Sequence, residues 1–194
     1  MAVKTSWYAI DSNLGINFNT TYTSVVNIAA TGTDSATYPL TESMQQIAPD
    51  LLGTCRKGTD GSEWILLKAS TTITQFNLVM YDDSYNANDF ATNGGLSGYN
   101  VAVCQVQTYA GVTTTTVDPG VNPVFWAAIR GVGMQVQVSG SAGTGVALGN
   151  GTTPGSVSVS TTGTAIHGVV LYASNGTSQA TECMVLYPHC GAFS

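Results

Sequence analysis

Charge is what this sequence has least of. Only 8% of its 194 residues are Asp, Glu, Lys or Arg, against about 25% in an ordinary soluble domain. Cations are the scarcer sign: five Lys and Arg stand against eleven Asp and Glu, a formal net charge of -6. So few cations cannot neutralise a row of phosphates, which excludes a nucleic-acid groove. Nor can they hold a chain on an anionic lipid surface. No apolar run approaches the roughly 18 residues of a membrane-spanning helix. Met1 to Trp7 contains no apolar stretch of signal-peptide length, so synthesis and use without a secretory step are expected. Neither a membrane nor a nucleic acid is expected as a partner. Disorder is excluded as well, because 43% of the residues are hydrophobic and disordered chains combine low hydrophobicity with dense charge.

Histidine is nearly as scarce, and its scarcity bears on chemistry. The two histidines are His167, which opens an apolar run, and His189, which follows Pro188. Neither stands near a Gly-x-Ser-x-Gly elbow, and Gly140-Ser141-Ala142-Gly143 has the wrong spacing for one, so no nucleophile–base pair is assigned. Acids cluster once, at Asp82, Asp83 and Asp89 with Asn86 and Asn88. Oxygens at alternate positions suggest a calcium loop, but the glycine at the sixth position and the Glu at the twelfth are missing. An Asx-rich hairpin loop is the expectation there. The glycine runs at Gly131-Val132-Gly133 and Gly140 to Gly145 lead into no Lys-Ser/Thr pair, which argues against a phosphate cradle and for bulges or tight corners. Cys55, Cys104, Cys183 and Cys190 are expected as free and mostly buried thiols, as is usual in a reducing compartment. Cys-x6-Cys is not a zinc spacing, even with His189 beside Cys190. Asn19-Thr20-Thr21, Asn150-Gly151-Thr152 and Asn175-Gly176-Thr177 match the glycosylation triplet only by chance if the chain is not secreted. No catalytic residue, cofactor or metal ligand is assigned, and the chain is not expected to be an enzyme.

In place of charge the chain carries Thr, its most frequent residue, with Ser, Asn and 22 glycines. Thr and Val favour strands, and Gly and Asn favour the turns between them. From Asp60 onward, apolar and alternating runs recur between Gly, Asn and Pro punctuation. They are Glu63–Lys68, Phe76–Tyr81, Tyr99–Gln107, Val124–Ile129, Met134–Val138, Val157–Val159, His167–Tyr172 and Glu182–Tyr187. Val124–Ile129 is apolar on both faces and reads as a central strand, whereas Tyr99–Gln107 and Met134–Val138 alternate like strands with one wet face. The expected fold is all-β. It is a small β-barrel or sandwich with an extended N-terminal arm and at most one short helix.

Residues 1–55 form the arm and 56–194 the β-domain. The arm has isolated hydrophobes but no period of its own. A helix over 41–52 is plausible from N-cap chemistry at Thr41-Glu42-Ser43, with Pro49 ending or kinking it. Trp7, Tyr8, Phe18, Tyr22 and Tyr38 decorate this segment. Aromatics in a non-periodic stretch suit interface anchors, and the alternative is that they fold back onto their own domain.

The stretch from Thr59 to Tyr187 resembles the small β-barrel capsid decoration, or cement, proteins of tailed double-stranded DNA bacteriophages. The order of segments carries the resemblance. Gly58–Ser70 is followed by Thr72–Phe76, by Tyr99–Gln107 and by Asn122–Gly131. Gln135–Val138, Gly145–Leu148 with Thr153-Pro154-Gly155, His167–Leu171 and Val185–Pro188 complete it. It covers about two-thirds of the chain and leaves the arm out. It implies a structural virion protein, assembled in the host cytoplasm, that binds the outside of an icosahedral head. Its partner would be the major capsid protein, whose neighbouring subunits it would lock, often as a homotrimer. Such proteins have no catalytic residues to carry over. Low charge suits the role, since a buried unpaired charge costs several kcal/mol. The alternative is a phage fibre, spike or tail component that binds a host-surface glycan through exposed aromatics.

Overall fold

The computed structural model describes residues 18, 21–22, 24–25, 47–48, 51–90, 100–106, 116–160 and 164–192. Among them the chain is all-β, without a helix. Three short strands come first: β1 (Thr21–Tyr22), β2 (Ser24–Val25) and β3 (Ile47–Ala48). The next group is β4 (Cys55–Lys57), β5 (Glu63–Ala69), β6 (Ile73–Thr74), β7 (Leu78–Tyr81), β8 (Asn86–Asp89), β9 (Asn100–Cys104) and β10 (Thr116–Val117). The chain continues through β11 (Val124–Val138), β12 (Leu148–Asn150), β13 (Val157–Val159), β14 (Thr164–Leu171) and β15 (Gln179–Ala192).

The helix expected over 41–52 is corrected where it can be seen. Residues 41–46, 49 and 50 lie outside the described residues. Ile47–Ala48 is a strand, paired in parallel with Ser24–Val25. Two local constraints act against a helix there. Pro49 pushes Ala48 toward extended backbone, and Ile47 is β-branched. Of the arm, β1 joins the large sheet, while β2 and β3 form a separate two-stranded sheet. β1 pairs with the start of β11, Thr21 against Phe125 and Tyr22 against Val124. A boundary between residues 55 and 56 falls within β4, which pairs with β5.

β11 organises the rest, because both of its halves are shared. Its first half pairs with β5, from Val124 against Lys68 to Arg130 against Glu63, and with β9 through Ala127–Cys104 and Ala128–Val103. Its second half pairs with β15, from Arg130 against Leu186 to Val138 against Gln179, and touches β13 at Val157. The pairings therefore close two five-stranded rings that share β11. One runs β11–β5–β8–β7–β9 and the other β11–β15–β14–β12–β13. Closure removes most edges among the described strands, and the edge strand β4 carries Arg56 and Lys57, charges of the kind that guard an open edge.

Each ring has its own apolar filling. Ile65, Leu67, Val79, Ala87, Ala102, Cys104, Phe125 and Ala127 form one buried cluster, which draws on all five strands of the first ring. Met134, Val136, Val138, Leu148, Val157, Ile166, Val169, Cys183 and Val185 belong to the other. That second cluster extends over the opposite face of β5 and β11, where Trp64, Leu66 and Trp126 are buried. Hence Val124 to Ala128 is apolar on both faces, while Gln135 and Gln137 alternate with buried Met134, Val136 and Val138. Burying a side chain such as Phe125 contributes about 1.5–3 kcal/mol. The glycines between the two halves of β11 do not break it. Gly133, at φ +72°, makes a bulge between Val132 and Met134, and the strand continues.

Candidate functional site

A second bulge makes the most unusual surface feature. β14 and β15 pair in register through His167–His189, and the next pair is Val169–Val185. Gly168 alone therefore stands against Leu186, Tyr187 and Pro188. Its φ is +78°, and a Cβ there would lie 2.4 Å from the Leu186 carbonyl oxygen. Only glycine fits. Tyr187, at φ +46°, holds the left-handed region without being glycine, at a cost of about 1–3 kcal/mol. A bulge of this kind re-aims side chains. Leu186 is left 44% exposed and Tyr187 53% exposed.

Polar contacts fix the direction in which Tyr187 points. Its hydroxyl donates to Glu63 Oε2 at 2.7 Å, and Arg130 Nη1 donates to Glu63 Oε1 at 3.0 Å. Lys57 Nζ stands 4.0 Å from the same oxygen. Four strands are tied together, since Lys57 faces Glu63, Glu63 faces Arg130 and Arg130 faces Leu186. The Tyr187 hydrogen bond is the main influence holding the Glu63 carboxyl below its ordinary value. The hydrogen bond from Arg130 and the charges of Lys57 and Arg130 add to it, and partial burial opposes. Reciprocally, the bond to Glu63 holds the Tyr187 phenol above its ordinary value and raises Arg130. Exposed ion pairs stabilise little. What this set does is orient a tyrosine.

Exposed apolar residues adjoin this polar set. Val132 is 60% exposed and stands in register with Met184, which is in turn opposite Val170. Leu186 and Tyr187 lie one step along β15, and exposed Tyr172 follows β14. A lone exposed aliphatic residue is ordinary. A cross-strand row bordered by two tyrosines and an arginine has the composition of an interface centre.

The sequence pointed elsewhere. Of the five aromatic anchors expected, Trp7, Tyr8 and Tyr38 lie outside the described residues. Phe18 and Tyr22 are buried in the chain's own core, the alternative that the sequence left open for them. Phe18 stacks on Trp64 at 4.9 Å and meets Trp126 edge-on at 5.2 Å. The Phe18 ring thus finds its partners in the two tryptophans of β5 and β11. Sequence reasoning missed Glu63, Arg130, Val132, Leu186 and Tyr187 as a group. The available signal was Pro188 inside an otherwise strand-like run, since proline within a sheet marks a bulge or edge.

The other candidate clusters resolve into local structure. Asp82 Oδ1 accepts from the backbone N–H groups of Ser84 and Asn86, both at 2.9 Å, which makes the turn of the β7–β8 hairpin. Asp89 sits apart in β8 and accepts from Asn77 Nδ2 at 2.9 Å. Cys190 is buried while its neighbour His189 is exposed, so the two face opposite sides of β15. All four cysteines are free, with Cys104, Cys183 and Cys190 buried and Cys55 exposed. Burial pushes the Cys104 thiol up to about 12 and raises Cys183 as well. Among the described residues, no three His, Cys, Asp or Glu side chains converge as metal ligands.

No protein-family model matches the chain, and no curated protein is similar to it.

Proposed function

We propose that this is a structural virion protein that binds the outer surface of an icosahedral phage head and cements neighbouring major capsid subunits, using the face around Tyr187. The observation that carries the reading is the presentation of Tyr187. A strained backbone, a glycine that admits no side chain and a three-residue polar clamp together hold one exposed aromatic ring, beside Leu186 and Val132. Such expenditure of stability on a surface side chain is expected where that side chain meets a partner. The low charge of the chain supports the same reading, because the charges at this face are the mutually paired Lys57, Glu63 and Arg130, and a paired charge costs less to cover than an unpaired one. Many copies on a shell add weak contacts by avidity, so a flat patch suffices without a deep pocket.

The resemblance supplies the identity of the partner, and it supplies the homotrimer as the expected assembly. Heads assembled with and without the protein test the reading by electron microscopy and by resistance to heat and chelator. Density over the capsid surface, with weaker heads in its absence, is the expected result. Absence from the head shell, or equal resistance, overturns it. The exposed pair Tyr172 and Tyr187 favours one second reading, a fibre or spike component that stacks on sugars, and density on the tail would select it.

A further inference from the structure

The two histidines of this chain are 22 positions apart in sequence and directly opposite each other in the sheet. His167 on β14 pairs with His189 on β15. Both are exposed, and their rings lie 5.0 Å apart, centroid to centroid, and within 20° of parallel. No other histidine exists in the chain, so the juxtaposition is not the by-product of a histidine-rich surface. The bulge at Gly168 fixes it, because the register resumes on the far side of Leu186–Pro188 with these two residues face to face.

From this arrangement we infer that His167 and His189 form a surface site for a borderline divalent transition metal, of the class of Zn²⁺, Ni²⁺ or Cu²⁺. Imidazole nitrogen is the ligand those ions prefer, and Mg²⁺ and Ca²⁺ prefer oxygen. Metal–nitrogen bonds of about 2.0–2.1 Å place two ligand atoms on one ion roughly 3 Å apart. With ring centroids 5.0 Å apart, the site requires a side-chain rotation that brings one nitrogen of each ring to that separation. The tautomer is suitable on one side. His189 Nδ1 lies 3.4 Å from the Tyr187 carbonyl oxygen, and a carbonyl only accepts, so this contact favours the tautomer with the proton on Nδ1, which leaves the Nε2 lone pair for a metal. A backbone carbonyl on the second nitrogen is the usual way a metal-binding imidazole is oriented. Two ligands come from the protein and water completes the shell, so the site is open. Because His189 is oriented by Tyr187, the ion would clamp β14 to β15 beside the bulge. This inference does not depend on the capsid reading.

The full chain carrying Cys55→Ser, which removes the exposed thiol as a competing ligand, is titrated with Ni²⁺ and Zn²⁺ by calorimetry. One saturable site is expected, together with a rise in Tm, since an ion that binds the folded state stabilises it. Mg²⁺ at the same concentration should have neither effect. His167→Ala and His189→Ala should each abolish the binding. Binding that survives either replacement, or no saturation at millimolar Ni²⁺, overturns the site. A second measurement needs no histidine variant: the two histidine rings give four C–H signals in the proton spectrum, and Ni²⁺ should broaden all four before any other resonance. Broadening elsewhere first refutes the assignment.

Discussion

Gly168 lies directly beneath the Leu186 carbonyl. A Cβ at residue 168 would stand 2.4 Å from that oxygen and 3.0 Å from Pro188 Cα. Both neighbours are backbone and cannot swing aside. A left-handed φ costs an L residue about 1–2 kcal/mol, and forced packing costs about 1–3 kcal/mol more. Gly168→Ala is therefore expected to destabilise the fold by roughly 2–5 kcal/mol, measured by urea unfolding. A loss below about 0.5 kcal/mol, the range of an ordinary surface substitution, would show that the bulge is not built as described.

Phe18 gives the opposite kind of test from the one its sequence position suggests. Its ring is sandwiched with Trp64 and Trp126 inside the chain. Phe18→Ala should cost about 3–5 kcal/mol, as large buried truncations do. It should also alter tryptophan fluorescence in the isolated protein, with no partner present. Unchanged stability would return Phe18 to the surface.

The core strands could be read in the sequence because burial writes itself into period. Val124–Ile129 is apolar on both faces, and the strand there is packed on both sides. Met134–Val138 alternates, and the strand there has Gln135 and Gln137 on its wetter face. Sequence logic read two runs on either side of Gly131-Val132-Gly133, where the glycines suggested a bulge or a tight corner. They form a bulge, because β15 continues to pair on both sides of them. The candidate surface was less legible for a related reason. Tyr187 is aimed by Gly168, which precedes it by 19 positions, and by Glu63, 124 positions away. Neither partner leaves a mark in the local pattern around residue 187. The stacked histidines were hidden in the same way, because only strand register brings them together.

The Tyr187–Glu63 hydrogen bond predicts two shifted titrations of opposite sign. Glu63 titrates below its ordinary value, so the stability it contributes is present above about pH 4.3 and is lost as pH falls through the lowered folded value. Tyr187 titrates above its ordinary value, so the bond persists past about pH 10 and is lost as pH rises through the raised folded value. Ultraviolet titration of the phenols, with Tyr187→Phe subtracted, isolates this residue among nine tyrosines. In Glu63→Gln the Tyr187 ionisation should move down, because the neighbouring negative charge is gone. An unchanged phenol titration would show that the contact does not hold in solution.

Thiol chemistry offers a check that needs no substitution. Cys104 and Cys183 are fully buried, and burial holds both thiols far from the reactive thiolate form. Cys190 is 4% exposed. Native protein should therefore release one equivalent of chromophore from an aromatic disulfide reagent, from Cys55. That reaction should be slow near neutral pH, because partial burial and the nearby Glu63 charge raise the Cys55 thiol. Denatured protein should release all four. Two or more fast equivalents from the native protein would contradict the packing of β9 and β15.

The last prediction separates folding from binding. Leu186 is 44% exposed, stands opposite Arg130 and precedes the exposed Tyr187 in β15. Leu186→Glu should change unfolding free energy by no more than about 0.5 kcal/mol, as exposed substitutions usually do. If the face is covered when the protein sits on a capsid, the new carboxylate must be desolvated without a partner. A central interface position then costs at least about 2 kcal/mol, or roughly 30-fold in affinity. Occupancy on purified heads, measured by titration and density-gradient recovery, should fall by that factor while the free protein stays folded. Tyr187→Ala should weaken occupancy in the same way, by removing the ring that the bulge presents. A distant exposed change such as Val121→Glu, on the β10–β11 turn, should leave occupancy unaltered. Equal occupancy for all three variants would place the binding surface elsewhere on the molecule.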